Sequence, residues 1–202
     1  MLFSRILTYI HSLRLNNQFN MIDKNSRVYY RSRIINKVKG GVRIGKSTIL
    51  GRSSIGYHTG MPFHTTILND GNSSHITIGN NCRINGAYIH AKDYIEIGDN
   101  CVMAAGITII DSNAHQVNSL NRTKGQDTPK GIKIGNNVWI GLNAIILKGT
   151  EIGDNCVVGA GSVVKGVFAP NSIILGNPAV CTGNVKFEGI KSNCECYLGI
   201  LL

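Results

Sequence analysis

Residues 134–163 read IGNNVW, IGLNAI, ILKGTE, IGDNCV and VGAGSV, five consecutive hexads in one frame. Each hexad begins with an aliphatic residue and carries a smaller residue four positions later. Those smaller residues are Val138, Ala144, Thr150, Cys156 and Ser162. A period of six matches neither the 3.6-residue period of an α-helix nor the alternation of a hairpin sheet. It predicts short strands joined by tight turns and wound into a coil, in which the inward residues stack on those of the turn below.

A longer period accompanies the hexads. The IGDN sequence at Ile152 repeats the IGNN sequence at Ile134 after 18 residues, so that three hexads make one turn of the coil. Further copies begin at Ile78 and Ile97, 19 residues apart. Each Ile or Val buried in such a column contributes roughly 1.5–3 kcal/mol, and Gly and Asn accept the positive φ of sharp corners. The frame resembles that of the hexapeptide-repeat acyltransferases, and this resemblance implies left-handed coils of triangular cross-section.

The composition fits one finely layered domain. Of the 202 residues, 43% are hydrophobic, which is ample for one core and tight for two. Twenty-four glycines against four prolines indicate many turns. We therefore expect an all-β protein with a helical lead-in over residues 1–26, a left-handed parallel β-helix over 27–182, and a tail over 183–202. The coils are predicted to be regular from Ile76 and irregular before it, with a break in the frame at 58–72.

One insertion interrupts the regular coils. Between Ile97 and Ile134 lie 37 positions where 18 would make a turn, so some 19 residues are extra. They follow Ile110, in the polar stretch 111–131, which lacks the hexad pattern. A long loop on a rigid repeat is where binding and catalytic residues usually lie. We expect loop 111–131 to carry part of a functional site.

Positive charge is concentrated at the start of the chain. Residues 1–52 hold eleven Lys and Arg and one acidic residue, Asp23, whereas the remaining 150 residues hold ten of each sign. The excess is either a solvated terminal segment or a surface that attracts an anionic membrane or an anionic glycan or lipid-linked substrate. A nucleic acid partner is disfavoured, because neither a recognition helix nor an aromatic-interleaved basic face accompanies the charge.

The first residues predict a short amphipathic helix. Apolar residues recur there at helical spacing, namely Phe3, Ile6, Leu7, Ile10 and Leu13. The stretch is too short and too charged to span a bilayer. It is expected to pack on its own protein or a neighbouring subunit, or else to lie on a membrane surface as a peripheral contact.

Cysteine usage favours the reducing cytoplasm. The six cysteines lack CxxC spacing, so a zinc ribbon or a redox pair is not indicated. Cys82, Cys101 and Cys156 occupy the small inward position of their hexads and are predicted to be buried thiols. Cys194 and Cys196 lie outside the repeat and have no explanation in it.

His115 is the best-placed candidate for a general base. It lies in loop 111–131 with Asp111 and Asn113 just before it. Acyl transfer from a thioester needs one base for the proton of the acceptor and a donor for the oxyanion. A histidine titrates near neutral pH and suits the first task. The alternative is a solvated loop imidazole, and metal catalysis is disfavoured because no two histidines have His-x4-His spacing.

The motif DSNAH at 111–115, followed after a loop by IGNNVWIG at 134–141, resembles the maltose/galactoside O-acetyltransferase branch. It is similar still more closely to bacterial cell-surface polysaccharide O-acetyltransferases, over about residues 76–182. The resemblance implies a homotrimer whose active sites lie between adjacent coils of two subunits and bind acetyl-CoA. It also implies that His115 deprotonates a sugar hydroxyl, without a metal.

The resemblance also implies further residues that bind the acceptor and the cofactor. For acceptor binding these are Asn85, Asp93, Asp111 and Asn113, and for the cofactor they are Trp139, Leu142, Ala160 and Lys165. Leu142 and Ala160 would act through backbone groups, and Lys165 would meet a phosphate of coenzyme A. The alternatives are corner or turn roles for the first set, and solvation or packing for Lys165 and Trp139. Val180 and Cys181 stand where the family often carries a basic residue, which removes part of its phosphate clamp.

Three functions remain open from the sequence. The first is acetyl-CoA-dependent O-acetylation of a sugar or polysaccharide precursor for the cell surface, through a ternary complex. The second keeps the donor and changes the acceptor to the amine of an amino sugar or an antibiotic. The third is a non-catalytic repeat scaffold, which has no need of an unpatterned loop bearing a base. A cysteine acyl carrier is a mechanistic rival, although the framed cysteines are expected to point inward.

Overall fold

A computed structural model of the protein describes residues 2–17, 19–51 and 63–187. Within these ranges one helix, α1 (Leu2–Leu15), precedes a series of short strands. No helix in this part of the chain is long and apolar enough to cross a membrane. His58, Cys194 and Cys196 lie outside the described residues.

The strands form three parallel sheets, which we label A, B and C. Sheet A contains β1 (Asn20–Ile22), β4 (Val42–Ile44), β7 (His75–Ile78), β10 (Tyr94–Ile97), β13 (Ile132–Ile134), β16 (Glu151–Ile152) and β19 (Val167–Phe168). Sheet B contains β2 (Arg27–Val28), β5 (Ile49–Leu50), β8 (Arg83–Ile84), β11 (Val102–Met103), β14 (Trp139–Ile140), β17 (Val157–Val158), β20 (Ser172–Gly176) and β21 (Ala179–Asn184). Sheet C contains β3 (Arg33–Asn36), β6 (Thr66–Asn69), β9 (Tyr88–Ala91), β12 (Thr108–Ile110), β15 (Ile145–Leu147) and β18 (Val163–Val164).

The chain visits the three sheets in turn, so that successive strands of one sheet belong to successive coils. Coil 1 contains β1–β3, and each later coil contains the next three strands. Within a sheet the pairing is parallel, apart from the antiparallel pair β20–β21. The register aligns Ile97 with Ile134 across the insertion and Ile134 with Ile152 on the next coil. The predicted parallel β-helix of hexads is confirmed.

The core is a set of stacked inward columns. The aliphatic residues that open the hexads lie inside, including Ile78, Ile97, Ile134 and Ile152, each at most 3% exposed. The predicted thiols Cys82, Cys101 and Cys156 are also buried. Their Sγ atoms lie 3.1, 3.2 and 3.2 Å from carbonyl oxygens of the next coil.

The repeated Ile-Gly-x-Asn sequences lie at the corners where sheet A turns into sheet B, and the geometry of these corners requires their Gly and Asn residues. Asn81, Asn100, Asn137 and Asn155 all have φ between 54° and 60°, a conformation that Asn tolerates better than most residues. Their amides also stack, as in the 2.9 Å bond from Asn137 Nδ2 to Asn155 Oδ1. Gly98 lies so close to Gly135 that a Cβ on it would come within 2.7 Å of the Gly135 carbonyl. Close spacing of the coils therefore requires the glycine.

Both ends of the coil are covered. At the first coil, the Ser12 hydroxyl of α1 accepts a hydrogen bond from the amide of Val28 (3.0 Å), and Asn16 Oδ1 accepts one from Ile22 (3.1 Å). At the last coil, β21 folds back on β20. These contacts satisfy or protect strand edges that would otherwise be open.

Part of the predicted break at 58–72 follows the frame, because β6 (Thr66–Asn69) pairs in register with β3 and β9. Its inward residues include the polar Asn69, which is fully buried and donates to Asn36 Oδ1 (2.8 Å). A polar inward residue conceals the hexad pattern in the sequence.

Candidate active site

Loop 111–131 leaves the coil where sheet C turns into sheet A, at coil 4. We call this edge of the molecule corner CA, and the edge where sheet B turns into sheet C corner BC. The loop runs between β12 and β13, as the spacing predicts. It returns at Gly131, one residue before sheet A begins.

Two carboxylates hold the ends of the loop. Asp111 is fully buried, and its carboxylate accepts hydrogen bonds from the amides of Lys92 (2.8 Å) and Asp93 (2.7 Å). Burial raises the pKa of Asp111, against the lowering effect of those two amides. Asp93 Oδ2 in turn accepts a bond from the amide of Gly131 (3.0 Å). Both carboxylates thus contact backbone amides at the loop base, and Asp111 makes no hydrogen bond to His115 among the described contacts.

Asp127 ties the middle of the loop to the coil. Its carboxylate lies 2.6 Å from Lys148 Nζ, on the next coil, and accepts a hydrogen bond from the amide of Asn113 (2.8 Å). Lys148 also donates to the carbonyl of Thr128 (3.2 Å). Burial opposes ionisation of Asp127, but the ammonium of Lys148 and the Asn113 amide outweigh it and lower the pKa. The backbone just before His115 is therefore fixed by an ion pair.

His115 is exposed, and one of its two ring nitrogens is occupied. Nδ1 lies 2.8 Å from the carbonyl oxygen of Arg122. Because a carbonyl can only accept, Nδ1 carries the proton, and the neutral ring keeps its lone pair on Nε2. None of the described residues bonds to Nε2. The exposed ring is thus held through Nδ1, and Nε2 has no hydrogen-bond partner among the described residues.

A second group of predicted residues lies on corner BC. Leu142 and Ala160 lie at equivalent positions, two residues beyond β14 and β17, and Asn85 lies at the same corner directly after β8, in the adjacent column. Among the hydrogen bonds of the described residues, none uses the amide of Leu142 or of Ala160. Trp139 projects outward from sheet B beside them and is 38% exposed.

The predicted site residues therefore form two groups. Asp93, Asp111, Asn113 and His115 come together at corner CA, where Lys165 also lies, after β18. Asn85, Trp139, Leu142 and Ala160 lie at corner BC. The strands of sheet C separate the two corners by about four residues, or roughly 13 Å of extended chain. In the described residues, no hydrogen bond or ion pair joins the two groups within one chain.

Sequence reasoning missed Asp127 and Lys148. The pair is 21 residues apart, one partner lies in a stretch without periodicity, and neither belongs to a short motif. The sole signal is that Asp127 is the one acid between Asp111 and the return of the coil. His, Cys, Asp and Glu residues of the described ranges form no cluster of three or more that could hold a metal ion.

Comparisons with known proteins agree with the fold. A family model described as "Hexapeptide repeat of succinyl-transferase" matches residues 75–110 and 131–165 and omits most of the loop. A crystal structure of AntD, an N-acyltransferase from Bacillus cereus in complex with dTDP and 3-hydroxybutyryl-CoA, has a TM-score of 0.64 at 19% identity. The likeness covers 84% of this chain and 91% of that one. It concerns the fold, which is the predicted left-handed β-helix.

Two curated relatives are similar in sequence. Galactoside O-acetyltransferase of Escherichia coli K12 is 41% identical over 106 residues, which cover 52% of each chain. A protein of the same strain named as the lipopolysaccharide biosynthesis O-acetyl transferase WbbJ is 32% identical over 114 residues, or 52% of this chain and 58% of that one. The chain thus matches little more than half the length of either relative.

Proposed function

We propose that the protein is an acetyl-CoA-dependent O-acetyltransferase of a sugar hydroxyl, in keeping with the hexapeptide-repeat family model that matches residues 75–110 and 131–165. The observation that carries the proposal is the orientation of His115, whose Nδ1 is held by the Arg122 carbonyl while Nε2 remains free. A scaffold would not need a loop that is anchored at both ends and fixes one imidazole. The sugar acceptor is supported by the relatives named O-acetyltransferases.

The proposed mechanism is direct transfer in a ternary complex. Nε2 of His115 takes the proton of the acceptor hydroxyl as that oxygen forms a bond to the thioester carbonyl carbon. A backbone N–H at a coil corner stabilises the oxyanion. The carbon–sulfur bond then breaks, and the thiolate of coenzyme A leaves and takes up the proton from the imidazolium. The three framed cysteines are buried inside the coil, which argues against an acyl-cysteine intermediate.

Corner BC is the proposed binding edge for acetyl-CoA. The unused amides of Leu142 and Ala160 fit a ligand that accepts hydrogen bonds along the column, and exposed Trp139 offers an apolar wall. Lys165 at corner CA is exposed and would meet a phosphate. Asn85, Asp93, Asp111 and Asn113 stay predicted acceptor contacts. For Asp93 and Asp111, the amide bonds at the loop base indicate that they also maintain the loop.

We further propose a homotrimer in which corner BC of one subunit faces corner CA of the next. The separation of the two residue groups supports this, since neither group makes a complete site alone. The outer faces support it as well. A row along sheet C is mostly apolar, namely Ile35, Leu68, His90, Ile110 and Leu147. The row along sheet A is polar, namely Arg43, Thr77, Glu96, Lys133 and Glu151. An apolar outer face favours association with another copy.

A role in cell-surface polysaccharide synthesis is proposed from the similarity to WbbJ. An amine acceptor is the second candidate, because AntD, which has the same fold, is an N-acyltransferase. Transfer assayed in parallel to a galactoside and to glucosamine separates the two.

His115→Ala tests the proposed function. The variant should fold and assemble as the wild type does, because the ring makes one hydrogen bond at the surface. Its acetyl transfer should fall about a hundredfold or more, the usual contribution of a general base. Release of the thiol of coenzyme A measures the rate. His75→Ala, which removes another exposed histidine, is the matched control and should retain activity. Unchanged transfer by His115→Ala would remove His115 from the mechanism.

A further inference from the structure

A concave region of about 920 Å³ lies at the lower end of corner BC, beside coils 1 to 4 and away from loop 111–131. We call it the basic groove. Its wall includes Arg31, Arg33 and three aromatic residues, Tyr30, Phe63 and Tyr88. Among the described residues that line it, none is acidic. The volume is that of a site for a ligand considerably larger than one sugar ring.

The groove lies on the same edge as Leu142, Ala160 and Asn85. Each of these follows a sheet B strand at corner BC, and Gly51 and Tyr29 occupy the position of Asn85 on coils 2 and 1. The backbone bonds from Tyr29 to Leu50 (3.0 Å) and from Gly51 to Ile84 confirm the stacking. From coil 6 towards coil 1, this edge carries first the proposed acetyl-CoA site, then Asn85 and then the basic groove. A ligand in the groove would therefore reach the reaction centre from the side opposite acetyl-CoA.

The outer side chains change character along this edge. One row of sheet C contains, from coil 1 upward, Arg33, Thr66, Tyr88, Thr108, Ile145 and Val163. The corresponding row of sheet B contains Arg27, Ile49, Arg83, Val102, Trp139 and Val157. The sheet C row is polar on coils 1 to 4 and apolar from coil 5, and the two arginines of the sheet B row likewise lie on coils 1 and 3, below the apolar Val102, Trp139 and Val157. The same fold element thus presents two surfaces, one suited to an anion and one to an apolar contact.

The arginines of the groove are available to a ligand. No described residue forms an ion pair with Arg31 or Arg33, whereas Lys37 and Lys148 both have carboxylate partners. The Arg31 guanidinium lies 5.4 Å above the ring of Tyr30, which restricts its motion without neutralising its charge. Two uncompensated guanidinium groups in the wall of one groove favour a multiply charged anion such as a diphosphate.

Tyr88 adds a positioned hydroxyl. His90 Nε2 lies 2.8 Å from Asp70 Oδ1, and the other ring nitrogen, Nδ1, lies 3.4 Å from the Tyr88 hydroxyl. Burial, followed by the nearby Asp70 charge, raises the pKa of Tyr88, so the phenol keeps its proton. A protonated phenol at the wall can donate to a phosphate oxygen.

We propose that the basic groove binds a diphosphate group, and that the acceptor of this transferase is therefore a diphosphate-linked sugar. The aromatic wall would contact the group beyond the diphosphate, either a nucleoside or an isoprenoid chain. This inference rests on the proposed acetyltransferase function. The neighbouring cavity on the sheet B side also carries arginines, but Asp23 lies among its lining residues, which makes the acid-free groove the better anion site.

The test measures binding of inorganic pyrophosphate to the full-length protein by calorimetry, with coenzyme A at saturation so that its own diphosphate site is filled. The variant is Arg31→Gln with Arg33→Gln. The matched control is Arg43→Gln with Lys46→Gln, which removes two exposed positive charges at the level of coil 2 but outside the groove. We expect the groove variant to bind about a hundredfold more weakly, roughly tenfold for each arginine–phosphate contact, and the control to stay within about threefold of the wild type.

Equal weakening in both variants, or no binding of pyrophosphate by the wild type, would overturn the proposal. UDP-glucose and geranyl diphosphate are then titrated as the nucleotide and isoprenoid arms. Tighter binding of either one than of pyrophosphate, abolished in the groove variant, supports a diphosphate-linked acceptor and identifies its source. If neither binds more tightly, the proposed acceptor is wrong. Binding of acetyl-CoA is measured separately, and its absence in the wild type would contradict the acetyltransferase function and leave the groove result standing.

Discussion

Asp127 is the loop residue that joins the backbone before His115 to the next coil. Its carboxylate joins the amide of Asn113, two residues before His115, to the ammonium of Lys148 on the next coil. The side chain is only 9% exposed, so the ion pair is poorly screened by solvent. The position of the His115 imidazole therefore depends on a carboxylate that does not touch it.

Asp127→Asn should destabilise the protein by roughly 1–2 kcal/mol near neutral pH, because Lys148 then lacks an anionic partner. The lowered pKa of Asp127 means that its contribution is present above the ordinary value of 3.8 and is lost as the pH falls through the folded-state value. Urea unfolding at several pH values measures the difference in free energy of unfolding between the wild type and the variant. This difference should be constant from about pH 5 to pH 8 and shrink below about pH 4.

Glu151→Gln is the control for that series, because Glu151 is exposed and forms no ion pair with a described residue. Its unfolding free energy should follow the wild type throughout. A difference for Asp127→Asn that persists unchanged into acid would show that the carboxylate acts through packing and not through its charge.

Residue-scale prediction succeeded where the hexad frame applies. The frame placed Cys82, Cys101 and Cys156 inside the coil, because a fixed period fixes which side of each strand is buried. It gave no such guidance in loop 111–131. There Asp111 could be seen to precede His115, but its burial against the amides of Lys92 and Asp93 depends on the neighbouring coil.

Helix α1 has two different faces. Thr8, His11 and Ser12 lie against the first coil, where His11 and Ser12 make hydrogen bonds to its backbone, as in the 2.9 Å contact from His11 Nε2 to the Ser32 carbonyl. The opposite face exposes apolar residues, namely Ile6, Tyr9, Ile10 and Leu13. The sequence predicted the helix, but Ile6, Ile10 and Leu13 of its aliphatic stripe do not form the contact with the coil. An open strand edge requires hydrogen-bonding partners, and the polar residues of α1 supply them.

We propose that this exposed face contacts an anionic membrane, with the basic first coils beside it. Replacing Ile6, Ile10 and Leu13 together by serine should weaken binding to vesicles of anionic phospholipid by about tenfold or more, because three aliphatic side chains lose their burial. Sedimentation with vesicles measures the bound fraction. Val167→Ser removes an exposed aliphatic residue at the other end of the molecule and should leave binding unchanged.

The same triple variant separates the membrane from a neighbouring subunit as the partner of α1. Wild-type vesicle binding together with a lower mass in solution would assign the exposed face to a subunit interface instead. The helix would then stabilise the assembly and would not hold the protein at a membrane.

At the scale of the whole molecule, the β-helix divides the candidate site between two edges. The hexads predicted the coil and the loop from sequence alone, because both are questions of period and of its interruption. The distribution of residues over corners and outer faces could not be predicted in this way. It follows from the register of the strands, which aligns Trp139 with Val102 and Val157 to form one apolar surface. The apolar row of sheet C likewise follows from the register of its strands.

The central claim is that each active site combines corner BC of one subunit with loop 111–131 of another. It is tested most directly by mixing two inactive variants. His115→Ala disables the loop, and Ala160→Trp fills the exposed donor edge at corner BC. After joint unfolding and refolding, random trimers should recover about one quarter of wild-type acetyl transfer, because one in four interfaces then pairs two intact halves. If the mixture is no more active than either variant alone, each site is built within one chain and the shared-site account is wrong.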